Sequence, residues 1–257
     1  MNGLDKIIKQ LEKIYGKIID HGELIILICK IFPEYEWQKN KLHKSIFLLR
    51  SKWYIYDIKK QLYLIIKPEA QISESWLVQI HYWQLLKNHC QFYCQGNRYI
   101  SGQKALELWN NNYETPLEIS IVNPIKTSLE INMFDYKISF KKYSNKWSSE
   151  LEHFKKLQKF TDKITLNNKK YPVAILELAI LESLYSPVPS TEYYISETVK
   201  KVLKKYKKTL DLDKISKIIQ IWKHHTSINR LYNLSKTVDL ELSQNIYNII
   251  KKYSYVL

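Results

Sequence analysis

Within the first 68 residues, three short helical patterns run directly into two short β-branched and aromatic runs, and that order admits few folds. Leu4, Ile7, Ile8, Leu11, Ile14 and Tyr15 recur at i, i+3/i+4 spacing, which predicts an amphipathic helix with Lys6, Lys9 and Lys13 outward. Gly16 ends it. Asp20 is placed to cap a second helix running to about Ile31, and Pro33 stops that one. A third helix is predicted from about Glu36 to Lys52, with Leu42, Ile46, Phe47 and Leu49 at its apolar positions. Trp53-Tyr-Ile-Tyr-Asp-Ile58 and Leu62-Tyr-Leu-Ile-Ile66 then read as strands, and the polar break at Lys59-Lys60-Gln61 makes them a hairpin. Three helices and a hairpin are the order of a winged helix-turn-helix, whose third helix enters the major groove while the hairpin tip reaches backbone or minor groove. The tip holds neither Gly nor Asn, so its turn type stays open.

Charge agrees with that order without proving it. Lys and Arg outnumber Asp and Glu by 40 to 25, a net charge of +15, which favours a polyanionic partner through counterion release. The chain is also rich in Lys, Ile, Asn and Tyr, the composition of an AT-rich genome, and such genomes encode many basic proteins. Position therefore decides. Lys39, Lys41, His43, Lys44, Arg50 and Lys52 fall on or just after the third predicted helix, with Lys41 and Lys44 together and Lys39 and His43 one turn apart. Lys59 and Lys60 fall at the hairpin tip, where they suit phosphate contact. These eight are the candidate DNA-binding residues, set against an ordinary solvated face. A second basic stretch places Lys200, Lys204, Lys207 and Lys208 along one helical face, suited to phosphate, to an acidic protein surface or simply to water.

The rest of the chain reads as α+β. Pro68-Glu-Ala-Gln-Ile-Ser73 reads as a linker, and a helix is predicted from about Glu74 to Asn88, with Trp83 in the core. A short helix from Gln103 to Trp109 follows Tyr99-Ile-Ser-Gly102, and the stretch from Leu117 to Tyr143 is strand-rich. Two more strands flank a turn at Asn167-Asn168. From about residue 174 the pattern is helical, beginning with a segment that is apolar almost all round and so buried. The resulting division is a winged helix-turn-helix over 1–68 and an α+β domain over 74–257.

Several classes of function find little support in these residues. Five glycines leave little material for phosphate-cradling loops. Cys29, Cys90 and Cys94 form no disulfide framework, and Cys90, Cys94 and His89 fit no zinc spacing, so no metal or other cofactor is expected. The start lacks a secretory apolar region, and no apolar run approaches the ~20 residues that span a bilayer, so a cytoplasmic protein without membrane contact is expected. Ser101 and Gly102 lack the setting of a nucleophile turn, and read instead as a helix cap and a relief of tight backbone. Acidic residues are dispersed, Glu177 and Glu182 lying on the buried-looking helix, so a non-enzyme is expected. His224-His225 reads as a dipole partner at a helix C-terminus, and Trp109 and Trp222 as core.

Three strings, in order, resemble a known family. Tyr99-Ile-Ser-Gly-Gln-Lys-Ala-Leu-Glu-Leu108 is similar to the "Y-x-S-G-x-x-A-L" segment of AbiEi-type antitoxins, which follows their winged helix. Pro172-Val-Ala-Ile-Leu-Glu-Leu-Ala-Ile-Leu-Glu-Ser-Leu184 resembles the later "P-V-A-x-x-E-x-A-L-L-D" helix, and Ile228-Asn-Arg-Leu-Tyr-Asn-Leu234 the C-terminal "R-L-G-x-L" string. The chain departs from the family at Trp109-Asn110, where His-Gly is common, and at Tyr232 in place of Gly. The resemblance implies an autoregulatory antitoxin of a phage-defence system that represses its own operon by binding operator DNA. It also implies a nucleotidyltransferase-type toxin as partner, neutralised by the C-terminal domain. A stand-alone winged-helix regulator without a toxin, and a mobile-element nucleic-acid-processing protein, are the alternative readings; the oligomeric state is open.

Overall fold

Gly16, at φ +76°, marks where the first helical pattern gives way to a strand. The helix itself (α1, Gly3–Glu12) stops one turn before the apolar pattern does, and Ile14 and Tyr15 pack on the core from the turn that follows. A three-residue strand (β1, Ile18–Asp20) comes next, too short to show alternation in the sequence. Asp20 caps α2 (His21–Ile31) as expected: its carboxylate accepts from the Glu23 N–H at 2.8 Å, and its own N–H donates to the Glu23 carboxylate at 2.9 Å. A 3₁₀ turn at Pro33–Glu36 replaces the predicted start of the third helix, and α3 runs Lys39–Ser51. Proline supplies the reason, since its fixed φ suits the first turn of a separate short element.

Strands β2 (Ile55–Lys59) and β3 (Leu62–Ile65) form the hairpin, and β1 adds to its other side, giving an antiparallel sheet in the order β1-β3-β2. One core joins all six elements: Ile7 and Leu11 from α1, Leu24 and Ile28 from α2, Leu42, Ile46 and Leu49 from α3, and Ile19, Ile55, Tyr63 and Ile65 from the strands. Each such side chain contributes roughly 1.5–3 kcal/mol of burial.

The structure is a computed structural model that describes residues 3–59, 62–68, 74–125, 129–133, 135–143, 150–185 and 189–253. Its chain divides into two compact units, 1–85 and 86–257, and the division falls inside α4 (Glu74–Cys94), which continues past the predicted end at Asn88. Of the linker expected at 68–73, residues 69–73 lie outside the described residues.

The second unit is built on a mixed sheet of six strands: β4 (Tyr99–Ser101), β5 (Glu118–Val122), β6 (Leu129–Met133), β7 (Tyr136–Lys141), β8 (Thr161–Leu166) and β9 (Lys169–Ala174). They lie in the order β6-β7-β5-β4-β9-β8, with β4–β9 and β5–β7 parallel and the other pairs antiparallel. The turn between β8 and β9 holds Asn167 at φ +46° and Asn168 at φ +59°, the left-handed pair that a two-residue hairpin needs and asparagine tolerates.

The remaining helices of the unit are α5 (Gly102–Trp109), α6 (Glu150–Gln158), α7 (Leu176–Ser183), α8 (Pro189–Tyr206), α9 (Leu212–Trp222), α10 (His225–Lys236) and α11 (Leu240–Lys252), of which α5 and α7 pack on the sheet. Every residue of α7 is buried, and it packs on α5, on the sheet and on the C-terminal helices. The fold is thus mixed α and β, as expected. Helix α6 precedes the last two strands, and from Leu176 onward the elements are all helices, as the sequence pattern indicates from about residue 174. No described helix is long and apolar enough to cross a membrane.

Candidate nucleic-acid interface

Helix α3 buries Leu42, Ile46 and Leu49, an i, i+4, i+7 stripe, and so turns its remaining faces outward. Lys39, Lys41, His43 and Lys44 are exposed on those faces, and Lys52, the residue that caps the helix C-terminus, is exposed as well. Among the described residues no carboxylate lies within salt-bridge distance of Lys39, Lys41 or Lys44. The first turn of α3 contains no acid, and Gln38 at the cap position makes no side-chain hydrogen bond there. Two lysines beside the positive end of a helix dipole repel it, and a bound anion relieves both.

Arg50 stands apart from the other basic residues. Its Nε lies 2.9 Å from Asp57 Oδ2 on β2, and its Nη2 donates to the Tyr63 hydroxyl on β3 at 3.2 Å. The guanidinium also sits over the Tyr63 ring, 5.3 Å from its centroid, and the same hydroxyl lies 2.9 Å from His21 Nδ1. Arg50 therefore ties α3 to the hairpin. Arg50→Lys, which keeps the charge and loses the planar fork, is expected to cost about 1 kcal/mol in urea unfolding of this unit; no change in midpoint would show the fork idle.

The hairpin tip is described only in part. Lys59 ends β2 opposite Leu62, after an irregularity that begins at Asp57, and Lys60 lies outside the described residues.

The second basic face does not form as the sequence pattern suggests. Helix α8 ends at Tyr206, so Lys207 and Lys208 lie beyond it and share no helical face with Lys200 and Lys204. Lys200 pairs with Glu197 at 2.8 Å and Lys207 with Asp239 at 3.0 Å, while Lys204 and Lys208 are exposed. His224-His225 also differs from its expectation. Lys223, at φ +54°, closes α9, and the two histidines open α10, the end of a helix where a positive charge is disfavoured. His224 is instead packed against Tyr185 and Trp222, with burial lowering its pKa.

In the second unit the three ordered strings converge, which their spacing alone could not reveal. Tyr99 donates from its hydroxyl to Glu182 Oε1 at 2.8 Å, and the Gly102 N–H donates to Glu182 Oε2 at 3.1 Å. Ser101 holds the cap position of α5 but donates to the Ser120 carbonyl instead, so Glu182 serves the helix start in its place. Gly102 adopts φ +58° with open space where a Cβ would stand, so conformation rather than crowding requires it. From the third string, Arg230 Nη1 donates to the Leu184 carbonyl at 2.9 Å, at the end of α7. Burial pushes the Glu182 carboxyl up to about 8, partly offset by the Tyr99 and Gly102 hydrogen bonds.

Beside this knot, Lys104 is 3% exposed and donates to Glu107 Oε2, the Asn112 carbonyl and the Glu114 carbonyl at 3.3, 3.1 and 2.7 Å. Glu107 is held in turn by Gln103 and the Tyr194 hydroxyl. Glu177 accepts the Asp211 N–H at 3.0 Å, a bond that fixes the start of α9. Trp109, half-buried, donates its indole N–H to the Ala174 carbonyl at 2.7 Å, and Trp83 and Trp222 are buried as expected. A cleft of about 440 Å³ opens above Gly102, Lys141 and Glu182. Among the described residues no group of three or more His, Cys, Asp or Glu side chains is placed to hold a metal.

No family model and no curated protein matches the sequence. Among solved structures, the crystal structure of the RV2827C protein from Mycobacterium tuberculosis is similar in fold, with a TM-score of 0.63 and 12% sequence identity. The match covers 96% of this chain and 81% of that one. At such identity the likeness speaks of the fold.

Proposed function

We propose that residues 3–68 act as a winged helix-turn-helix that binds double-stranded DNA, with α3 in the major groove and the β2–β3 hairpin as the wing. The observation that carries this reading is the basic outward surface of α3, where Lys39, Lys41, His43 and Lys44 surround a helix start that lacks any acid. The order helix, strand, helix, helix, hairpin, with the first strand added to the hairpin, supports it further. Lys41→Ala with Lys44→Ala is expected to weaken duplex binding. The slope of log affinity against log salt should also fall by about two, since each lost phosphate contact removes roughly 0.9. An unchanged slope in a fluorescence-anisotropy salt titration removes α3 from the interface.

We further propose that the chain is a non-catalytic, AbiEi-like antitoxin that represses its own operon and neutralises a nucleotidyltransferase-type toxin. What favours this over a stand-alone regulator is the meeting of the three family-like strings at Glu182 and Leu184. Co-expression with a nucleotidyltransferase-like protein from the adjacent reading frame should restore growth that the toxin alone arrests. Failure of rescue, with DNA binding intact, leaves the stand-alone regulator.

A further inference from the structure

One stripe of α3 differs from its lysine-rich flanks. Asn40, Lys44, Phe47 and Ser51 follow i, i+4, i+7, i+11 spacing and lie opposite the buried Leu42, Ile46 and Leu49. All four are exposed, and Phe47 shows 65% of its surface to solvent although the sequence pattern places it with the core. A phenyl ring on the most outward line of a cationic helix gains nothing from water, and its neighbours along that line are an amide and an ammonium group. Ser51 is already engaged, donating to the Leu48 carbonyl at 3.1 Å. Arg50, the other long side chain of this half of the helix, is turned to Asp57 and Tyr63.

These side chains match what base edges offer in the major groove. Adenine presents an acceptor and a donor that a carboxamide pairs with two-fold, thymine presents a methyl group that an apolar side chain covers, and phosphates and guanine take an ammonium. Asn40 is the second residue of α3, at the end of a recognition helix that points most directly at bases.

We infer that Asn40 and Phe47 read A·T base pairs, Asn40 through the adenine edge and Phe47 through the thymine methyl, with Lys44 between them holding the helix in the groove. The inference rests on the proposed DNA-binding reading and names the sequence class that the same surface selects. It also divides the surface by task. Lys39 and Lys41 carry sequence-independent attraction, whereas the Asn40–Phe47 line carries discrimination.

The test uses the full chain. Selection from a randomised duplex pool yields its preferred site, which should contain A·T pairs, and each thymine is then replaced in turn by deoxyuridine, which lacks only the methyl group. The parent protein should lose about three- to fivefold in affinity at one or two positions, the worth of one buried methyl. Phe47→Ala should bind the methylated and unmethylated duplexes equally at those positions, with its salt slope unchanged because no charge is removed. Asn40→Ala should lose roughly fivefold to a hundredfold preference for adenine at a neighbouring position. If Phe47→Ala keeps the parent's response to deoxyuridine, or if the parent has none, the inference is overturned. Loss of self-association alone in Phe47→Ala, with the DNA response intact, overturns it too and assigns the ring to a protein contact. A chain that binds no duplex at all sinks the DNA reading itself. A chain with a salt slope dependent on Lys41 and Lys44 but no response dependent on Phe47 or Asn40 sinks only the base-reading assignment.

Discussion

Glu182→Gln is expected to stabilise the second unit increasingly as pH rises from about 5 to 8. The carboxyl is buried and its folded-state value stands at about 8, above the 4.5 of the free group. Folding therefore takes up a proton across this window. The sign follows directly: a folded state that binds more protons than the unfolded one loses stability as pH rises, by about 1.4 kcal/mol for each pH unit between the two values. The contribution is complete below the unfolded value and gone above the folded one. Glutamine keeps one acceptor for the Gly102 N–H and turns its amide N–H to the Tyr99 oxygen, reversing that hydrogen bond, without the ionisation. The difference between variant and parent should reach on the order of 4 kcal/mol by pH 8. Urea-dependent hydrogen exchange of peptides from 99–143 reports on this unit within the whole chain, and a difference constant from pH 5 to pH 8 refutes the linkage.

Lys104→Met should be the most damaging single change in the same unit, at about 3–5 kcal/mol, because it strands a charge rather than a contact. The ammonium of Lys104 meets three acceptors, Glu107 and two backbone carbonyls, and its side chain is 2% exposed. Methionine fills the space of the stem and satisfies none of the three. The double variant Lys104→Met with Glu107→Gln removes the orphaned charge as well and should recover part of the loss, leaving a coupling energy between the sites. A single-variant cost below about 1 kcal/mol by urea unfolding would falsify the view that this pair is held as a charged unit.

How legible these features are in the chain depends on how local their causes are. The Asp20 cap and the Asn167-Asn168 turn can be read directly, because each is settled by one or two residues acting on their own backbone. Strand β1 cannot, since three residues show no period and its pairing partner lies more than forty positions away. The end of α4 is missed for a related reason. The stretch from His89 to Cys94 mixes aromatic, polar and thiol side chains, and tertiary burial keeps it helical where pattern alone gives no signal.

The candidate interface was half visible. Spacing places Lys39, Lys41, His43 and Lys44 on a helix, but Arg50 looks like one more cation until Asp57 and Tyr63 are brought to it. Phe47 is assigned to the core by its neighbours in sequence, and only the position of Leu42, Ile46 and Leu49 reveals that it faces out. Tyr99 and Glu182 are apart by 83 residues, and nothing in either segment names the other.

That separation has a consequence for synthesis. Ribosomes add roughly 5–20 residues per second, so Tyr99 and the start of α5 wait several seconds for the carboxyl that satisfies them. Until Glu182 has emerged, the β4–α5 segment carries a phenol and a helix start that only water can serve, and its apolar side chains have no α7 to cover them. The second unit is therefore committed late, and a chain cut short before residue 182 leaves its sheet without the group that closes it.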